Sequence, residues 1–262
     1  MATIWSGAIS FGLVTVPVKL TPATQSKDVS FNQLDRESGS RVRYKKMAES
    51  TGEVVDQSRI VKGYELTPGQ YVVVEPDELK AMAPKSSRSI EIEQFVDLEE
   101  IDPLLFDTPY YLQPDPNTLK PYKLLVEAMA DTNKVAIGRI VLRTKESLAA
   151  IRSLDGMLVI ETMRYADEVL PRELPGDIDA LEVTKKERVM ATQLIESLTE
   201  TWDPDAFDDT YREELLALIE KKAAGEEIVA APVADETAEI VDLARALERS
   251  LDEAEQKGKR SA

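Results

Sequence analysis

Apolar residues recur at every second position through residues 9–20. Ile9, Phe11 and Leu13 make one run, and Val14, Val16, Val18 and Leu20 a second. A period of two predicts strand. The parity changes between Leu13 and Val14, beside Gly12, which predicts a β-bulge or a bend between two sheet surfaces. Pro17 has no backbone donor, so this stretch is expected at an edge or a bulge. Residues 41–46 also alternate, with Arg41, Arg43 and Lys45 on one face of an extended segment and Tyr44 and Lys46 on the other. Residues 71–75 read as strand and 76–82 as a short helix opened by Pro76. In residues 89–96, Ile90, Ile92 and Val96 face one way and Glu91 and Glu93 the other, a half-exposed strand.

Residues 121–130 predict a helix whose inner side holds Leu124, Leu125, Ala128 and Met129. Strands follow at 135–143, 147–153 and 157–163, the last two joined by the hairpin signal Asp155-Gly156. Beyond residue 183 the period changes to that of a helix. Thr184 and Glu187 form a capping box, and Met190, Leu194, Leu198 and Trp202 recur every four residues until Asp203-Pro204-Asp205 breaks the pattern. Thr210 and Glu213 read as a second capping box, ahead of a stripe of Leu215, Leu216, Leu218 and Ile219 and a C-terminal Gly225. Residues 226–234 read as linker, 236–256 as a third helix, and Lys257, Lys259 and Arg260 as a frayed basic end. A long β region, one inserted helix and then helices argue for an α+β fold around a β-barrel or a strongly bent sheet.

Composition narrows the chemistry. The 262 residues include no cysteine and no histidine. That removes the Ser-His-Asp triad, the Cys-His dyad, the thiolate nucleophile and every His- or Cys-ligated metal. A metal could be held only by oxygen ligands. Neither phosphate-cradling glycine motif occurs, and there is no nucleophile elbow. A carboxylate hydrolase is the enzymatic alternative, with Glu99, Glu100 and Asp102 as one acidic cluster and Asp203, Asp205, Asp208 and Asp209 as another. The latter sit at a helix break and a helix start, however, where negative charge is favoured for structural reasons. No apolar run is long enough to cross a membrane and the N-terminus does not read as a signal peptide, so a cytoplasmic protein is expected.

The formal charge is −17, but it is unevenly spread. Residues 1–62 carry a net +3 and residues 125–165 a net +1, against −7 for residues 63–124 and −14 for residues 166–262. The basic segments are therefore the better lead. In an extended chain, side chains two residues apart stand about 7 Å from each other, close to phosphate spacing along one nucleic acid strand. Arg36, Arg59 and Lys62 flank the row at 41–46, and Arg139, Arg143, Lys145 and Arg152 lie in and around the later hairpins. No aromatic run suited to base stacking and no helix-turn-helix or zinc finger accompanies them.

Many short blocks then match one family in order. They include residues 4–18 with Trp5 and Gly7, residues 41–46, Gly52 to Val55, residues 60–65, residues 90–96, Ile101 to Pro103, and Tyr110 to Leu112. The later blocks are residues 142–152, Asp155 to Leu158 with Glu168, Asp203-Pro204, and residues 209–216 with Lys221, Lys222 and Gly225. Over residues 3–225 the chain resembles the prokaryotic Ku proteins, the DNA-end binders of non-homologous end joining. The resemblance implies a Ku-type central β-barrel in residues 1–183, with a bridging arm at about 36–62. It also implies C-terminal helices at 184–225 that dock an ATP-dependent ligase of the ligase D type; the linker, terminal helix and short tail read at 226–262 lie beyond it. It further implies a ring-shaped homodimer through which a double-stranded DNA end threads, with no enzymatic step, no cofactor and no metal. The phosphate contacts expected on this basis are Lys19, Arg41, Arg43, Lys45, Lys46, Lys62, Arg143, Lys145 and Arg152. Many relatives carry Cys-x-x-Cys in the arm; here Ala48 and Thr51 stand at those positions, so no metal reading transfers. The alternative is a Ku-like protein-interaction module that does not bind DNA.

Overall fold

Gly12, at φ +57°, reverses the chain between β1 (Trp5–Phe11) and β2 (Val14–Pro22), which pair antiparallel from Phe11↔Val14 to Trp5↔Leu20. The parity change in the sequence therefore marks a two-residue hairpin turn, in place of the expected bulge or bend. Glycine supplies the left-handed backbone conformation such a turn needs. The structure, a computed structural model, describes residues 2–82, 88–143, 145–174, 176, 178–225 and 246–251. After β2 come β3 (Lys62–Thr67), β4 (Gln70–Val74), α1 (Pro76–Met82), β5 (Ser89–Asp97), β6 (Phe106–Pro114) and α2 (Leu119–Thr132). Then follow β7 (Lys134–Leu142), β8 (Lys145–Leu154), β9 (Met157–Met163), α3 (Lys185–Ser197) and α4 (Thr210–Ala223). The chain divides into two compact units, Met1–Lys27 with Phe31–Pro171, and Asp28–Ser30 with Arg172–Ala262.

In the first unit, seven strands close a barrel in the order β1-β2-β6-β9-β8-β7-β5, and the parallel pair β1–β5 completes the circle. This is the α+β, barrel-centred fold expected. Pro17 fits inside it without an edge. Its carbonyl accepts from the Asp115 N–H at 3.1 Å, and its donorless nitrogen faces the same side, where the β2–β6 ladder has ended at Val18↔Pro114. Ile9, Val16, Val18, Leu20, Ile90, Leu112, Ile140, Ile151, Leu158 and Ile160 fill the interior. Each such side chain contributes about 1.5–3 kcal/mol by leaving water.

Helix α2 belongs to the same core, and its buried residues are Tyr122, Leu125, Val126 and Met129. Leu124 and Ala128, expected inward, face solvent. The buried stripe is rotated because Tyr122 has a polar task. Its hydroxyl donates to the Leu112 carbonyl at 2.7 Å and accepts from the Leu158 N–H at 2.8 Å, joining a register pair of β6 and β9. Burial raises the Tyr122 pKa above its ordinary value, with the Leu158 hydrogen bond opposing that shift.

A second cluster lies on the outer wall. Ile101, Val135, Ile137, Ala150 and Met163 are buried there, with Val96, Leu105, Phe106 and Leu148 packed against them. These β7 and β8 residues have the opposite parity to Ala136, Gly138 and Ile151. The barrel wall is thus apolar on both faces where residues 98–106 cross it, which explains the unbroken apolar run at 135–137.

The described residues of 23–88 lie between β2 and β5 and contribute no strand to the barrel. The segment 41–46 is extended but not a strand. It is flanked by isolated bridges, Leu34↔Arg41 on one side and Met47↔Val54 on the other. β3 and β4 form a separate two-stranded sheet, and α1 follows as expected.

In the second unit, Thr184 accepts from the Glu187 N–H and Glu187 reaches back to the Thr184 N–H at 2.7 Å, so the capping box is present. Helix α3 stops at Ser197, ahead of the expected break at 203–205. Trp202 lies outside it and stacks on Phe207. The cap of α4 is Asp209, which accepts from the Arg212 N–H at 3.0 Å; Thr210 is already helical. Gly225, at φ +79°, follows the C-cap Ala224. Residues 246–251 are helical; the rest of the expected third helix, the linker and the basic end lie outside the described residues. Among the described residues no helix is long and apolar enough to cross a membrane.

Candidate nucleic-acid interface

The antiparallel register sorts the barrel into two ends. One end collects the start of β1, the end of β2, the starts of β5, β6 and β8, and the ends of β7 and β9. Both roots of the 23–88 excursion are there, and so is the β7–β8 turn that carries Arg143 and Lys145. The other end carries the Gly12 and Asp155-Gly156 turns.

At the first end, a cavity of about 390 Å³ is lined by Ile4, Asp107, Thr108, Tyr110, Leu142, Arg143, Lys145, Ser147 and Thr162. Arg143 has φ +59°, a left-handed conformation that costs a residue with a Cβ about 1 kcal/mol. The neighbouring wall of β6 and β9 is braced. Thr108 N–H donates to Thr162 Oγ1 at 3.1 Å, and Thr108 Oγ1 donates to Asp107 at 3.1 Å. Asp107 is also paired with Arg164 at 3.1 Å, and Arg164 donates further to the carbonyls of Leu104 and Phe106. The Asp107 charge is therefore compensated by Arg164, which leaves Arg143 and Lys145 as the uncompensated charges of this cavity. Sequence reasoning did not single out Thr108, Thr162 or Arg164. No local pattern marks them, because the register of β6 on β9 assembles them.

The excursion supplies the second set. Val42 N–H donates to the Gln33 carbonyl and Val55 N–H to the Lys46 carbonyl, each at 2.9 Å, so the basic row is held extended from both sides in turn. Tyr44 is pinned to Gln33 at 2.6 Å, and Lys46 donates to Gln57 at 3.0 Å. Arg41, Arg43 and Lys45 are exposed. In the neighbouring turn, hydrogen bonds from the Ser38 hydroxyl and N–H hold the Asp35 carboxyl below its ordinary pKa. Lys62 opens β3, and Lys19 sits on the outer face of β2 between Ser6 and Gln113.

Among the described residues, Lys19, Arg41, Arg43, Lys45, Lys46, Lys62, Arg143 and Lys145 make no ion pair. Arg152 differs. It lies 3.2 Å from Glu161 on the adjacent strand, with side-chain exposures of 28% and 15%, at the border of the outer cluster. Its charge is compensated within the wall. Arg139 is likewise held, by Glu93 at 3.0 Å and Glu146 at 3.5 Å. The described residues contain no cluster of carboxylates arranged to hold a metal ion.

A closed barrel with a long excursion from one end that carries a row of exposed cations defines a class. The profile of the Ku70/Ku80 beta-barrel domain matches residues 10–194. The non-homologous end joining protein Ku of Heliobacterium modesticaldum is 42% identical over 99% of this chain and 95% of its own. That of Pseudomonas aeruginosa is 41% identical over 95% of this chain and 87% of its own. In Symbiobacterium thermophilum the identity is 45% over 97% of this chain, which spans 64% of that longer protein. The chain belongs to the Ku family, among its bacterial non-homologous end joining members.

Proposed function

We propose that two copies of this chain form a ring that threads double-stranded DNA ends during non-homologous end joining. The contacts are to the phosphate backbone and independent of sequence, and no catalytic step is involved. The observation behind this reading is the set of uncompensated cations on the excursion and at the barrel end from which it springs. Arg41, Arg43, Lys45, Lys46, Lys62, Arg143 and Lys145 are the proposed phosphate contacts, with Lys19 beside them. Arg152 is left out because Glu161 neutralises it.

The excursion also supports dimerisation. Phe31, Leu34, Val42, Met47, Val54, Tyr64, Leu66 and Tyr71 are all exposed on it, far more apolar surface than an isolated strap needs. A second copy packed on this arm would cover them. Residues 184–225 are proposed to recruit the ATP-dependent ligase, and the site of action is the cytoplasm, on the nucleoid.

Comparing linear with closed circular duplex across a salt series tests the reading. Linear DNA binds and circles bind weakly. Affinity falls steeply with salt, and changing Arg41, Arg43 and Lys45 together to Glu abolishes the complex. Equal binding of circles and lines at moderate salt would refute threading. No binding of either form would leave the protein-interaction alternative.

A further inference from the structure

The second unit carries a surface apart from the cations proposed to contact DNA. Asp203 accepts from the Asp205 N–H at 3.0 Å and caps the single turn Pro204–Ala206. That turn folds the chain so that Trp202 and Phe207 stack, with centroids 5.2 Å apart and planes at 26°. The two rings stay in water, 73% and 71% exposed. An aromatic pair ordered by its own backbone yet uncovered is an interaction surface rather than a core.

Its electrostatic frame is one-sided. No Lys or Arg occurs between Arg188 and Arg212, while Glu196, Glu200, Asp203, Asp205, Asp208 and Asp209 fall in that interval. Asp203 and Asp209 are engaged as caps. Among the described residues Glu196, Glu200, Asp205 and Asp208 form no ion pair. Nucleic acid is repelled by this field. A guanidinium is attracted twice, by the π-face of a ring and by the carboxylates that flank the pair along the chain.

We infer that the Trp202–Phe207 stack and its acidic surround dock an arginine-bearing segment of a partner protein, with a guanidinium lying over the exposed ring face. This deepens the ligase-docking reading of residues 184–225 and rests on that reading only for the partner's identity.

The test uses the full-length chain and short fluorescein-labelled peptides that alternate Arg with Ser, Lys with Ser, or Glu with Ser, read by anisotropy. The Arg peptide binds best, the Lys peptide more weakly and the Glu peptide not at all. Phe207→Ala weakens the Arg peptide by about fivefold or more, and Phe207→Trp restores it. Changing Glu200, Asp205 and Asp208 to their amides weakens binding and flattens its salt dependence. Phe207→Leu keeps apolar bulk but removes the π-face, so it decides the matter if Phe207→Ala perturbs the helices. Arg-peptide binding that is unchanged in both Phe207→Ala and Phe207→Leu overturns the proposal, as does equal binding of the Glu peptide. A ligase pull-down separates the two readings. If the Arg peptide binds wild type and Phe207→Leu equally while ligase is still captured, the surface proposal falls and ligase docking stands. If the Arg peptide binds but ligase is not captured, the reverse holds.

Discussion

Replacing Tyr122 with Phe removes one oxygen from the junction of α2, β6 and β9 and changes little else in volume. The hydroxyl bridges the Leu112 carbonyl and the Leu158 N–H, which face each other as a register pair. Both leucines are fully buried, so no bulk water replaces the hydroxyl. An orphaned buried donor or acceptor costs about 1–3 kcal/mol. Two are orphaned here, and a partial direct bond between them recovers part of the loss. The expected destabilisation is therefore about 2–4 kcal/mol in urea unfolding followed by near-ultraviolet dichroism, with faster hydrogen exchange at the Leu158 amide. The alkaline limb supplies an independent sign. A phenol whose folded pKa lies above its unfolded value stabilises fully below about pH 10, and that contribution is lost as pH rises through the folded pKa. The wild type thus loses stability above about pH 10 more steeply than Tyr122→Phe. A change under about 0.5 kcal/mol, with exchange at Leu158 unaltered, would show that the bridge does not hold the strands.

Thr21 is buried and its hydroxyl has no hydrogen-bond partner among the described residues, so Thr21→Val raises thermal stability by about 1 kcal/mol in a melting experiment. Glu161→Gln leaves Arg152 half-buried without its counter-charge and costs about 1 kcal/mol, discounted for partial exposure. Arg152→Gln leaves DNA affinity and its salt slope unchanged in the gel shift, whereas Arg143→Gln lowers both.

Where pairing is local, the sequence is informative. Asp155-Gly156 joins β8 to β9 with both residues at positive φ, and Thr184 with Glu187 opens α3. Where a distant partner decides, it is not. The alternation at 41–46 looks like a strand, yet within one chain it meets only single bridges on alternate sides. Leu124 is as apolar as Val126, yet with Tyr122 bonded to Leu112 and Leu158 the helix seats on the barrel with Val126 inward and Leu124 in solvent. The α3 stripe continues on paper through Leu198 to Trp202, but the helix ends at Ser197 and Trp202 stacks on Phe207 instead. Basic residues can be read directly as candidates for phosphate. That Arg152 is neutralised depends on a cross-strand neighbour nine residues away, which only the β8–β9 register reveals.

The barrel's closing seam has a mechanical meaning. β1 and β5 are joined only from Ala8↔Ser89 to Ser10↔Glu91, helped by the Ser10–Ser89 hydroxyl contact at 3.1 Å, whereas β2 is laddered along both edges. The 23–88 excursion hangs from these two anchors. Tension on it enters a strand laddered along both edges at one root and, at the other, β5, which is laddered to β7 from Glu91 to Asp97 but to β1 over the short parallel seam. Under such pulling, the barrel would unzip first between β1 and β5, while β2, β6, β9, β8 and β7 stay joined. One side of the excursion then acts as a fuse, and the rest of the wall is shielded from strain transmitted along it.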